Sequence, residues 1–254
     1  MTQSQLQEQL RSLRLGHFAQ ALQQQQGQAT TYEDMSFEER LGLLAQHEIH
    51  CRQSTKVKRL LKQASLRLDA HASRLKYRSE RGLRKDKIGS LLSGQYLHHA
   101  HNIIITGATG CGKTYLACAL AKQACEQHQT VRYYRLGQLL DELNIGHADG
   151  SYRQQLAQIA KKKLLILDDW GMEKLNARQA NDLLDVMEER YQNASTIITD
   201  SHMLCPDDRI IKGGEVSGVY ELGALENCGL LTSLLNQFMT GPGNTINLEL
   251  TPQF

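Results

Sequence analysis

Apolar positions follow two different rhythms along this chain. Through residues 1–90 they fall near helical spacing: Leu6, Leu10, Leu13, Phe18 and Leu22 come first, followed by a polar break from Gln23 to Thr31. Ser36-Phe37-Glu38-Glu39 then sets a capping serine three residues ahead of a glutamate, which predicts a second helix carrying Leu41, Leu44 and Ile49. Beyond residue 100 the rhythm changes to short, continuous apolar runs. These predict strands at 102–106, 130–135, 164–168 and 195–199, alternating with helices such as Tyr115 to Gln127. Such alternation implies a parallel α/β sheet with right-handed crossovers and ligands at the carboxyl ends of its strands. The expected organisation is a small all-helical domain over 1–90, then a linker around Gly82 to Gly94, then an α/β domain over 91–254.

The ends of two predicted strands carry chemistry. Directly after Ile103-Ile104-Ile105 comes Gly107-Ala108-Thr109-Gly110-Cys111-Gly112-Lys113-Thr114, a complete G-x-x-x-x-G-K-[ST] phosphate-binding loop between a strand and a helix N-terminus. Its glycines let the backbone fold closely around an anion, Lys113 carries a point charge to the β- and γ-phosphates, and the Thr114 hydroxyl is a ligand for Mg²⁺. The pattern predicts binding of a nucleoside triphosphate. Four apolar residues, Leu164 to Leu167, end in Asp168 and Asp169. A strand buried on both faces delivers Asp168 to the Mg²⁺, and Asp169 is placed to orient or deprotonate the attacking water. The alternative for Asp169 is a cap on the Trp170-Gly171 segment.

Composition narrows the setting. No apolar stretch approaches the roughly 18 residues that span a bilayer, and the first residues lack the basic and apolar regions of a signal peptide, so the expectation is a cytoplasmic protein without membrane contact. The six cysteines form no C-x-x-C pair; Cys111, Cys118 and Cys125 recur every seven residues, as on one buried helix face. His98, His99 and His101 read as solvated loop histidines. Net charge is only +2, yet residues 52–90 hold thirteen Lys or Arg against three acids, while 200–254 hold seven acids against two bases. A concentrated basic block predicts contact with duplex DNA through its phosphates, with little sequence preference, by Lys56, Lys58, Arg59, Lys62, Arg67, Arg74, Lys76, Arg78 and Arg81. The competing reading is an amphipathic helix whose charges face water.

These residues together resemble the IstB group, the ATP-binding helper proteins of bacterial insertion sequences, related to DnaC-type helicase loaders within the AAA+ superfamily. The resemblance covers about residues 1–199. It rests on Leu13-Arg14-Leu15, Phe37-Glu38-Glu39-Arg40-Leu41 with Glu48 and Arg52 downstream, Arg81-Gly82-Leu83, Gly112-Lys113-Thr114, Leu165 to Gly171, and Glu189-Arg190-Tyr191 before Ser195 to Thr199. What it implies is an ATPase that assembles as a homo-oligomer on duplex DNA and assists a cognate transposase in target selection and insertion. A DnaC-like helicase loader and a hydrolysis-deficient, ATP-dependent DNA-binding protein remain the alternatives.

The family pattern departs after Thr199. A Ser-Gln or Ser-Asn pair and a helix bearing Asp-Arg-Leu are expected there, whereas this chain has Asp200-Ser201-His202. Thr199 or Ser201 stands as the polar sensor group. A helix carrying Leu225 to Phe238 and a strand over Thr245 to Leu250 are expected to complete the sheet. The arginine that AAA+ proteins direct at a neighbouring subunit's γ-phosphate falls to Arg209 or Arg190, and its loss would cost about 10³-fold or more in turnover.

Overall fold

A computed structural model describes residues 2–75, 85–170, 175–200 and 245–250. Lys76, Arg78, Arg81, Gly171, Ser201, Arg209 and the Leu225–Phe238 helix lie outside the described residues.

The first compact unit spans Met1–Arg59 and the second Leu60–Phe254. Within the first, α1 (Gln3–Ser12) and α2 (Gly16–Gly27) precede α3 (Phe37–Ala64). The expected capping box opens α3: the Glu39 N–H donates to Ser36 Oγ at 3.2 Å and the Ser36 N–H to Glu39 Oε2 at 2.8 Å. Leu15, at the N-cap of α2, makes no side-chain cap bond. Glu48 serves that end instead, accepting the Phe18 N–H at 2.7 Å while Arg52 Nε lies 2.6 Å from its other oxygen. Leu44 is buried as helical spacing predicts, whereas Leu41 and Ile49 are exposed.

The second unit is built on a five-stranded, all-parallel sheet in the order β2-β3-β4-β1-β5, with β1 (Asn102–Gly107), β2 (Val131–Arg135), β3 (Leu164–Trp170), β4 (Ser195–Asp200) and β5 (Thr245–Leu250). Every predicted strand is present, including the last, which pairs with β1 along its length. Alternate residues face opposite layers. Ile103, Ile105, Leu164, Ile166 and Ile197 pack against α6 (Lys113–Glu126), α4 (Lys85–Leu92) and the segment from Leu60 to Ala70. Ile104, Leu165, Leu167 and Ile198 pack against α7 (Leu136–Asp149), α8 (Tyr152–Ala160) and α9 (Ala177–Arg190). Because Leu60, Ala64, Ala70, Ile88 and Leu91 share the first of these cores, packing divides the chain at Arg59/Leu60 rather than at residue 90. Between α4 and β1, the short α5 (Gln95–His98) contributes buried Tyr96 and Leu97. Cys111, Cys118 and Cys125 are all buried, and burial pushes the Cys125 thiol up to about 12. Among the described residues no helix is long and apolar enough to cross a membrane, and no group of three His, Cys, Asp or Glu is arranged to hold a metal ion.

Arg190 corrects one expectation. Its side chain is 1% exposed, with the guanidinium donating to the carbonyls of Ile159 (2.9 Å), Lys162 (2.7 Å) and Ser195 and to Thr196 Oγ1 (3.2 Å). Burial pushes its pKa down to about 9, so it stays charged at neutral pH. It fastens α9 to the turn before β3 and to the start of β4, and it cannot reach a neighbouring subunit's phosphate. Arg190→Ala leaves those buried acceptors unmet and should lower stability by about 3 kcal/mol, a fall of roughly 6–12 °C in Tm. Thermal unfolding followed by circular dichroism checks this; an unchanged Tm would contradict it.

Candidate active site

The functional side chains converge because β1, β4 and β3 are adjacent and parallel, so their carboxyl ends open on one edge of the sheet. The loop leaving β1 turns through left-handed glycines, with Gly110 at φ 84° and Gly112 at φ 96°, conformations that favour a residue without Cβ. Thr109 and Gly110 are exposed at its tip, while Cys111 packs inward and Lys113 is nearly buried. Lys113 Nζ donates to the carbonyls of Gly107 (2.7 Å) and Ala108 (2.9 Å). Those bonds fix the ammonium inside the loop, where a phosphate would meet it.

Asp168 is the meeting point. It is 1% exposed, and its carboxylate accepts from Thr114 Oγ1 at 3.0 and 3.1 Å, from Tyr133 OH at 2.5 Å, and from Thr199 Oγ1. Burial works to raise its pKa, but the bonds from Thr199, Tyr133 and Thr114 outweigh it and hold the carboxyl below the ordinary value. Tyr133 moves the other way: burial and the bond to Asp168 push its hydroxyl up, so it remains a donor. The hard-oxygen pair of Thr114 and Asp168 suits Mg²⁺, and the structure brings together both predicted ligands.

Asp169 owes its place to an irregularity. Neighbouring strand residues point to opposite faces, but the β3–β4 register shifts between Leu167 and Trp170, and Asp169 adopts φ 60°, a left-handed conformation Asp tolerates better than most residues. Both carboxylates consequently meet one guanidinium: Arg67 Nη1 lies 3.5 Å from Asp168 Oδ2 and 3.4 Å from Asp169 Oδ2. Arg135 Nε, at the end of β2, lies 3.2 Å from Asp169 Oδ2. Arg67 arrives here because its segment is tied onto α6, with Lys122 Nζ 2.6 Å from Asp69 Oδ1 and the Tyr115 hydroxyl 3.3 Å from the His71 N–H. The other described members of the predicted DNA set, Lys56, Lys58, Arg59, Lys62 and Arg74, are exposed. Sequence reasoning did not identify Tyr133 or Arg135. No motif marks them: β2 reads Val131-Arg132-Tyr133-Tyr134-Arg135, and nothing in that run shows that it lies beside Asp168.

Comparison with known proteins agrees with this geometry. The profile of the IstB-like ATP binding protein family matches residues 8–212. Over 200 residues the chain is 44% identical to the insertion sequence IS1162 ATP-binding protein of Pseudomonas fluorescens, covering 78% of this chain and 86% of that protein. It is 40% identical over 167 residues to the insertion sequence ATP-binding protein y4pL of Sinorhizobium fredii, covering 66% of this chain and 68% of that protein. Among solved structures, the DnaC helicase loader superposes with a TM-score of 0.52 at 16% identity, over 76% of this chain and 99% of that one. AMPPCP-bound DnaA from Aquifex aeolicus gives 0.54 at 17%, over 73% of this chain and 51% of that one. At such identities the two structures establish the fold alone, a parallel sheet flanked by helices.

The depressed pKa of Asp168 has a measurable consequence. Its ionised form stabilises the fold in full above the unfolded value of about 4, and that contribution drains away as pH falls through the lower folded value. Asp168→Asn should therefore flatten the dependence of Tm on pH below about 4. Parallel wild-type and variant curves would refute the assignment.

Proposed function

This chain belongs to the IstB-like ATP-binding protein family, and on that premise we propose that it is a transposition helper ATPase. It binds duplex DNA with little sequence preference, assembles there as a homo-oligomer, and presents the target to a cognate transposase, with ATP hydrolysis as the switch. One observation supports this above the others: Thr114 from the phosphate loop and Thr199 from β4 both donate to the Asp168 carboxylate on β3.

The roles follow from position. Backbone N–H groups from Ala108 to Thr114 surround the phosphates, and Lys113 transfers its bonds from the Gly107 and Ala108 carbonyls to phosphate oxygens. Thr114 and Asp168 would hold Mg²⁺, which would supply neutralisation of the charge on the triphosphate. Thr199, on the strand between β3 and β1, senses the terminal phosphate. Asp169 orients the attacking water and takes its proton, a task open to it only when Arg67 and Arg135 leave its carboxylate free. Those two ion pairs favour a competing reading, an ATP-gated DNA binder without turnover.

Turnover assays with and without duplex DNA, alongside binding of a fluorescent ATP analogue, separate the two. Lys113→Ala should weaken nucleotide binding by about tenfold or more, since it removes charge-assisted bonds. Asp169→Asn should keep binding while turnover falls about 100-fold or more. Wild-type binding without DNA-stimulated turnover would leave the ATP-gated binder standing; an Asp169→Asn variant as fast as wild type would remove Asp169 from the chemistry.

A further inference from the structure

Beside Asp169 lies a cavity of about 320 Å³ lined by Ser65, Arg67, Arg132, Tyr133, Arg135 and Gln138. Three of these six are arginines, and no carboxylate is among them. Like charges gathered in one hollow repel one another unless an anion sits between them. Among the described residues, the negative groups that pair with them stand at the cavity's margin: Asp169 on Arg67 and Arg135, and Asp168 on Arg67.

Among the described residues no carboxylate forms an ion pair with Arg132. Its Nη1 donates to Ser65 Oγ at 3.0 Å and to the Gln63 carbonyl at 3.3 Å, and its guanidinium lies 4.8 Å from the centre of the Tyr134 ring. These contacts orient the fork and leave its charge uncompensated. Arg67 and Arg135 are held at 3.2–3.5 Å by single carboxylate oxygens, with side chains 39% and 50% exposed. The two pairs with Asp169, whose side chain is 38% exposed, are of the weak, solvent-exposed kind. A phosphate, which accepts paired N–H bonds from a guanidinium fork, competes well for such arginines.

We propose that Arg67, Arg132 and Arg135 form a pocket for a phosphate of the DNA backbone, and that in the DNA-free chain Arg67 and Arg135 latch Asp169 until that phosphate draws them away. The pocket rests on the reading of this chain as a DNA-dependent ATPase and supplies what that reading lacks: a physical link between DNA binding and turnover. Filling the cavity with a phosphate satisfies the three guanidinium groups and frees the Asp169 carboxylate for water. Arg67 keeps the DNA role its basic surroundings predict, through a position next to the chemistry.

The test uses the full chain. Anisotropy of a labelled duplex, read without nucleotide across a salt series, should show the slope of log K against log salt falling by about 1 for Arg132→Ala and for Arg135→Gln, while Arg153→Ala, an exposed arginine on α8, leaves it unchanged. Arg135→Gln serves as the second variant because its side chain is half exposed, so its loss leaves folding intact. In the absence of DNA, Arg67→Ala and Arg135→Gln should raise ATP turnover about threefold to tenfold, and added duplex should stimulate them less than wild type. Unchanged salt slopes would overturn the pocket, and unchanged basal turnover with altered slopes would overturn the latch. If inorganic phosphate at millimolar concentration stimulates wild type as duplex does, the pocket takes free phosphate and the DNA assignment falls. If wild type shows no turnover with DNA, the ATPase reading fails, and the salt slopes still decide the pocket.

Discussion

A carboxylate buried at the end of a parallel strand is costly unless several donors meet it, and Asp168 is met from one helix and two strands at once. Thr114 comes from the first turn of α6, Tyr133 from β2 and Thr199 from β4, so these bonds fix the relative heights of the elements that form the site. The same bonds keep Asp168 ionised, the form in which a carboxylate can bind a metal. Removing any one donor leaves the charge with fewer partners in a dry environment, so the order of the site and the ionisation of its central group are one constraint.

The sheet makes that convergence possible. Continuous apolar runs bury β1, β3 and β4 on both faces, and packing on two sides leaves only the strand ends open to ligands. Arg190 reinforces the opposite end, taking up carbonyls from the turn before β3 and from β4. Its burial explains why an arginine in that sequence context is structural. The segment from Ser65 to Leu75 adds a feature that a bare sheet lacks: Lys122 and Tyr115 tie it to α6, and it carries Arg67 to the two carboxylates.

Much of this was legible in the residues. The strand positions follow from short apolar runs, the phosphate loop from its glycines and lysine, the α3 start from Ser36 and Glu39, and the buried cysteines from their seven-residue spacing. Other parts were not, for physical reasons. Adjacent Asp168 and Asp169 should point to opposite faces of a regular strand, and nothing in the motif announces the bulge that brings them to one guanidinium. Arg67 sits in a run of basic residues, so its charge carries no sign of a partner 102 residues away. Tyr133 and Arg135 depend on which strand lies beside β3, a matter of topology rather than local pattern. The domain boundary moved for a similar reason: Leu60, Ala64 and Ala70 look like part of a helical extension until the sheet that buries them is in view.

The central claim is that Asp168 couples the phosphate loop to the metal. Nucleotide affinity measured with and without Mg²⁺, in wild type and in Asp168→Asn, tests it most directly. The account predicts that Mg²⁺ tightens binding to wild type and that the variant loses most of that gain while keeping its metal-free affinity. An equal Mg²⁺-dependent gain in both proteins would contradict it.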